Sequence, residues 1–348
     1  MCVGSTSCCR GRRRHAMSQR EQPATAGQGG AASPPGWVGS WNGFWFTPAD
    51  AFPLAMVRIG TGLLLAWASF VWLLDAEAFF GPAGWLPAHD VWRMNDQPWQ
   101  WSWYFATSSS AVRLALGILT MIAGLTLAAG LATRLSAVVA FAGLVSAANR
   151  APLNVFGLDD TLGMLLISLM IGPAGACFSV DRWLQGRLVG GGQKPGQGRR
   201  AGAAAPASIA ANLAVRLLQC HLCVVYFFSG AGKLLGASWW EGMALWGAAA
   251  NGQYRTLDLT WLADMPLLIN AITLTTLFWE VAYAAIVWPR LTRPFAIGMG
   301  IAVHLGIGLA MGMMEFGLAM IVANLAFVPA ATWRRWTGPS GPATVEKD

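Results

Sequence analysis

Eight apolar segments, six of them near the length that crosses a bilayer, constrain this chain more than any other feature. A spanning helix needs about 20 mostly apolar residues. Such runs recur at about Pro53 to Leu74, Val112 to Leu131, Leu135 to Ala148, Thr161 to Phe178, Ile209 to Ser229, Pro266 to Trp288, Pro294 to Met313 and Phe316 to Phe327. The third and eighth are short. Composition agrees with a membrane solvent: 55% of residues are hydrophobic and only 11% charged, against roughly 25% charged in soluble domains. The net charge of +7 is spread through short connections, so it is read as orienting helices rather than as binding nucleic acid.

The arginines give the orientation. Arg10, Arg12, Arg13, Arg14 and Arg20 precede the first segment, and Arg134 separates the second and third. Arg182, Arg187, Lys194, Arg199 and Arg200 lie between the fourth and fifth, Arg290 and Arg293 between the sixth and seventh, and Arg334 and Arg335 after the eighth. Every second connection is therefore basic. The positive-inside rule then predicts an all-α polytopic transmembrane bundle of about eight helices with both termini cytoplasmic. Residues 1–40 are rich in Gly, Ala, Ser, Pro and Arg and are expected to form a disordered tail; residues 48–331 form the membrane domain and 332–348 a second tail. No apolar h-region follows the first arginines, so no signal peptide is read there. Of the six cysteines, Cys177, Cys220 and Cys223 lie in or beside apolar segments. They are read as small apolar residues, with the CHLC spacing at Cys220–Cys223 leaving a redox motif as the other reading.

Lys233 is one of three lysines and follows an aromatic run in YFFSGAGKLLGASWWEG (Tyr226 to Gly242). A charge near a bilayer core costs roughly 2.5–3.5 kcal/mol at the helix centre. Two readings stand: a lysine snorkelling to the headgroups, or a functional charge. Other polar residues inside or at the edges of apolar segments are Arg58, Arg113, Arg216, His221, Glu280, His304 and Asn324. Such groups usually face the bundle interior and pair, and one lysine, two histidines and a glutamate suffice for proton transfer. Nine of the 19 tryptophans, including Trp99, Trp101 and Trp103 and then Trp239 and Trp240, fall in two outer connections. They form either an aromatic belt or a roof over an outward-opening cavity. No phosphate loop, paired zinc motif, HExxH or GxSxG is present.

The Lys233 stretch resembles the membrane part of the vitamin K-dependent gamma-carboxylases, and the chain is identified as a member of their bacterial relatives, the horizontally transferred transmembrane (HTTM) domain proteins. RIGTGLLLAW, GLATRLS, FSVDRWL and the His304-to-Phe327 stretch HLGIGLAMGMMEFGLAMIVANLAF fit the family in order, so the resemblance covers about Pro48 to Ala331. It implies that Lys233 is the base that deprotonates reduced vitamin K or another quinol, with His304 as a second catalytic residue. Glu280, His221, Tyr226, Trp239 and Trp240 are then substrate-binding candidates, and no metal is expected. A base lysine must be a neutral amine, which burial favours; a wall of Phe227, Phe228 and Leu234 would provide it. Two features depart from the carboxylases. A Gly232-Lys233 pair stands where they have a lysine doublet, and their large lumenal domain, which grips a propeptide, is not expected here.

The resemblance thus implies an enzyme, a gamma-carboxylase-like lyase or quinol-dependent oxidoreductase, in the bacterial inner (plasma) membrane with Lys233 on the outer side. Its partners are the lipid bilayer and a lipid-soluble small molecule. The alternative is a non-catalytic lipid-binding, transport or assembly subunit, in which Lys233, Glu280 and His304 are structural or substrate-pairing residues.

Overall fold

A computed structural model describes residues 36–94, 100–189 and 206–337. Eight helices among these residues correspond to the eight apolar segments. They are α1 (Phe52–Leu74), α2 (Ser110–Ala129), α3 (Thr133–Arg150), α4 (Gly157–Ile171), α5 (Ile209–Leu234), α6 (Pro266–Ile286), α7 (Arg293–Met311) and α8 (Met314–Asn324). Five of them, α1, α2, α5, α6 and α7, are long and apolar enough to cross a membrane, which makes this an integral membrane protein. The remaining three are shorter or less apolar. Among the described residues β-pairing is confined to one isolated bridge, Ala49 to Ser208, joining the approaches to α1 and α5.

Small residues let the helices approach closely, the device that replaces the hydrophobic effect where the solvent is itself apolar. Gly62 and Gly124 face each other at the crossing of α1 and α2. A Cβ on Gly62 would lie 2.5 Å from the Ala128 nitrogen, and one on Gly124 would lie 2.8 Å from the Ala66 nitrogen. The contiguous core then runs from Leu54, Leu65 and Leu127 through Leu162, Leu165 and Leu166 to Tyr226, Tyr283 and Phe327.

Arg58, fully buried in α1, is a cap. Its Nη1 donates to the carbonyls of Leu127 (2.8 Å) and Ala128 (3.0 Å) at the end of α2, and Nη2 donates to Phe178 O (2.6 Å). The last carbonyls of a helix lack intrahelical donors, and a cation there also meets the negative end of the helix dipole. The weaker sequence motifs meet beside it. Asp181 of FSVDRWL accepts from the backbone nitrogens of Ala132 (2.8 Å) and Thr133 (3.1 Å) in GLATRLS, capping the start of α3. Arg113 and Arg150 are likewise structural. Arg113 forms a forked pair with Glu77 (2.6 and 2.8 Å), and Arg150 donates to Leu86 O (3.0 Å) and to Gly81 O.

The expected tail over residues 1–40 lies outside the described residues up to 35, but its last part is ordered. Trp37–Phe46 is a helix with no buried residue. Asn212, in the first turn of α5, donates to the carbonyls of Phe44 (2.8 Å) and Trp45 (2.9 Å) at its end. WVGSWNGFWF has no charge, and an aromatic, uncharged helix held at the level where α1 and α5 begin suits an interfacial position. The C-terminal tail is also partly helical, over Ala330–Thr337, with Arg334 paired to Asp50; residues beyond 337 lie outside the described set.

Candidate functional site

The site is built where α5 crosses α6. Gly230 makes the crossing close: a Cβ there would lie 2.9 Å from the Val281 nitrogen and 3.3 Å from the Glu280 carbonyl carbon. The contact carries three polar side chains onto one another. Lys233 Nζ lies 2.6 Å from Glu280 Oε2 and donates to Ser229 Oγ at 2.6 Å. Ser229 Oγ donates to Glu280 Oε2 at 3.3 Å. The side chain of Glu280 is 8% exposed and that of Lys233 23%.

Lys233 does not run out past the end of its helix. Its ammonium turns back along α5 to Ser229, four residues earlier, and meets a glutamate that sits about 21 Å along α6 from Pro266 at 1.5 Å per residue. A snorkelling lysine at this helix end would run the other way, to the headgroups. Trp239 lies over it, with Nζ 5.3 Å from the ring centroid, within cation–π range. The polar partners of Lys233 are Ser229 and Glu280; Phe227 and Phe228, expected to wall it, are 48% and 67% exposed on the periphery of α5.

One turn further inside, a second network links α5, α6, α7 and α8. Tyr226 OH lies 2.8 Å from His304 Nε2. Asn324 Nδ2 donates to Tyr226 OH (3.0 Å) and to Met320 O (2.9 Å), and Tyr283 OH donates to Asn324 Oδ1 (2.7 Å). The Tyr226 and Tyr283 rings stand 4.0 Å apart, and Trp279 closes the side with Nε1 donating to Ala296 O at 3.1 Å. Close approach again sets the geometry, since a Cβ on Gly317 of α8 would lie 2.4 Å from His304 O. The network also assigns the histidine tautomer. Asn324 Nδ2 can only donate to Tyr226 oxygen, which leaves His304 Nε2 as the acceptor in reach of the phenol proton; in that arrangement the other ring nitrogen carries the hydrogen. That nitrogen, Nδ1, is buried with no partner among the described residues. A buried donor left unmade costs about 1–3 kcal/mol.

The predicted residues are thus divided. Lys233 meets Glu280 directly, Tyr226 meets His304, and Trp239 faces Lys233. Trp240 stays near, donating from Nε1 to Leu234 O at 2.7 Å, but is exposed. His221 is apart, exposed on the outer surface of α5. Trp101 and Trp103 belong to a different structure. Their segment is tied to α3 through Ser102 Oγ to Ser146 O (2.7 Å), and Tyr104 stacks on Phe80 with centroids 4.2 Å apart. Beside it opens a cleft of about 390 Å³ walled by Phe80, His89, Trp92, Tyr104 and Phe105; Trp99 lies outside the described residues. Sequence reasoning missed Ser229, whose signal was its helical i−4 spacing from Lys233, and Tyr283. Asn324 stood out as a polar residue in an apolar run, without a role. Cys177, Cys220 and Cys223 form no disulfide among the described residues. Among the described residues no three His, Cys, Asp or Glu side chains cluster as a metal site.

Comparisons of the chain with protein-family models, with curated proteins and with solved structures gave no match.

Proposed function

We propose that this chain is an HTTM-like membrane protein, similar to the membrane part of the vitamin K-dependent gamma-carboxylases, that binds a quinol at the α5–α6 crossing and moves a proton there. The observation that carries the reading is the inward-turned Lys233–Ser229–Glu280 set. Burying an ion pair inside a membrane bundle gives little net stability, and intramembrane charges mark functional sites by default. The residues fit a quinol: His304 Nδ1 is an orphaned buried donor for an oxygen acceptor, and the Lys233–Glu280 pair offers a charge and a proton acceptor. Aromatic rings of Trp279, Tyr283 and Phe316 line the same region. When bound, a quinol supplies acidic hydroxyls and reducing electrons. The protein's part is to orient an oxygen at His304, to hold a proton at the pair and to keep water out with Trp239.

In this reading all eight helices cross the bilayer and both termini are cytoplasmic. The face shared by Asp50, Arg58, Arg182 and Arg334 is the cytoplasmic one, and Lys233 opens toward the outside of a bacterial inner membrane. A second reading, a structural pair in a non-catalytic subunit, is favoured by the close packing of Tyr226, Tyr283 and Asn324, which fills the region with protein. Extraction of lipids from the purified protein, followed by mass spectrometry, separates the two. The quinol reading expects a quinone at near-equimolar amount in the wild type and its loss in Lys233→Ala. Equal quinone content in the two samples, or none in either, refutes it.

A further inference from the structure

We infer that the net proton acceptor of this site is Glu280, and that Lys233 stays an ammonium throughout. The inference rests on the quinol reading above and concerns which member of the pair does what. An ammonium has no free electron pair, whereas a carboxylate has four lone-pair positions. With Nζ 2.6 Å from Glu280 Oε2 and 2.6 Å from Ser229 Oγ, Lys233 is engaged as a donor on two sides. A neutral lysine would require its proton to pass to Glu280 first. If that amine then took a proton from a ligand, the ledger would read the same: one proton more on the carboxyl and an ammonium on the lysine.

The balance is simple. An O–H bond of an acidic hydroxyl breaks, an O–H bond forms on a Glu280 carboxyl oxygen, and the electron pair stays on the oxygen left behind. No electron is transferred. The site changes from a neutral pair to a net positive one, so the ammonium, relieved of its carboxylate partner, faces the oxygen that has become negative. In a low-dielectric surrounding such a compensated change is far easier than creating an isolated charge. Ser229 fits the same design. Its hydroxyl accepts from Lys233 and donates to Glu280, so it bridges two groups already in contact and keeps their register while the proton load of the carboxyl changes. Glu280 is a catalytic residue in this account; Ser229 is a positioning residue. A lysine base would instead require the apolar wall that Phe227 and Phe228 do not form.

The test uses the full-length protein in lipid nanodiscs with 1,4-naphthohydroquinone kept reduced as the probe. Binding is followed by quenching of tryptophan fluorescence and the proton by infrared difference spectroscopy of the protonated-carboxyl stretch. Binding to the wild type should bring in a protonated-carboxyl band. With the probe raised to saturation, Glu280→Gln should show no band, and Lys233→Arg, which keeps the charge and cannot deprotonate, should keep it. Ser229→Ala, which keeps both charged groups and removes the hydroxyl that bonds to each of them, should shift the frequency of the band. A band that survives in Glu280→Gln, or one that vanishes in Lys233→Arg while binding persists, overturns the assignment. Failure of the wild type to bind the probe overturns the quinol reading and this inference with it.

Discussion

Replacing Arg58 by methionine should destabilise the bundle by about 3–5 kcal/mol, the size measured when one partner of a buried charged contact is removed. The magnitude follows from what Arg58 touches. Three carbonyls, those of Leu127, Ala128 and Phe178, accept from it at 2.6–3.0 Å, and each buried acceptor left unmade costs about 1–3 kcal/mol. The sum of those costs is an upper bound, because deleting the guanidinium also removes the desolvation of a buried cation. Arg58→Lys keeps a charge but presents one nitrogen instead of a planar fork, so it should cost about 1–3 kcal/mol. The assay is built in: Cys177 is 1% exposed and precedes the Phe178 carbonyl that Arg58 holds. Its reaction with a thiol-specific dye, in a variant lacking the other cysteines, reports opening of this corner as detergent-solubilised protein is heated or unfolded by steric trapping. Arg58→Met within about 0.5 kcal/mol of wild type, the range of neutral surface changes, would refute the cap.

Four further outcomes are expected. Gly230→Leu should cost about 1–3 kcal/mol by overpacking and should separate Lys233 from Glu280, read as loss of quinone binding. Tyr104, pushed up from 10.0 to about 12 by burial, favours its neutral form in the folded state. Stability should therefore fall as pH rises from about 10 to 12, by roughly 2–3 kcal/mol, a loss that Tyr104→Phe abolishes in alkaline melting curves. A reporter fused after Gly191 should read cytoplasmic and one after Gly252 external, and a shared side would sink the eight-crossing topology. Benzoylphenylalanine at position 41 should crosslink to lipid on irradiation; crosslinked protein dimers instead would place the Trp37–Phe46 helix against a second copy.

Much of the fold was legible in the sequence because membrane helices announce themselves by length and apolarity. The apolar run Pro53 to Leu74 matches α1 within a residue, and Pro266 to Trp288 matches α6 within two. Errors fall where the membrane signal stops. Ile209 to Ser229 ended too early because Gly230 and Gly232 look like helix breakers, yet α5 continues to Leu234: Gly230 is needed there for the approach to α6. The expected tail over residues 1–40 overlaps the start of the Trp37–Phe46 helix, because ten residues with two glycines carry no spanning signal. The site was half legible. An isolated lysine, a glutamate and a histidine in apolar runs stand out against their solvent, but which of them meet depends on helix rotation and on glycine contacts that no spacing reveals. So the sequence showed that Glu280 and His304 were candidates, and not that the first belongs to Lys233 and the second to Tyr226.

The most direct test of the account is a double replacement, Lys233→Leu with Glu280→Leu, compared with wild type for stability and for quinol affinity. Replacing a buried ion pair by apolar residues is often neutral or stabilising, whereas removing one member alone is costly. The account predicts that the double variant folds and inserts with stability within about 1 kcal/mol of wild type or above it, while quinol affinity falls at least tenfold, about 1.4 kcal/mol. A stable double variant that binds quinol as tightly as wild type would show the pair to be a structural contact and would contradict the central claim.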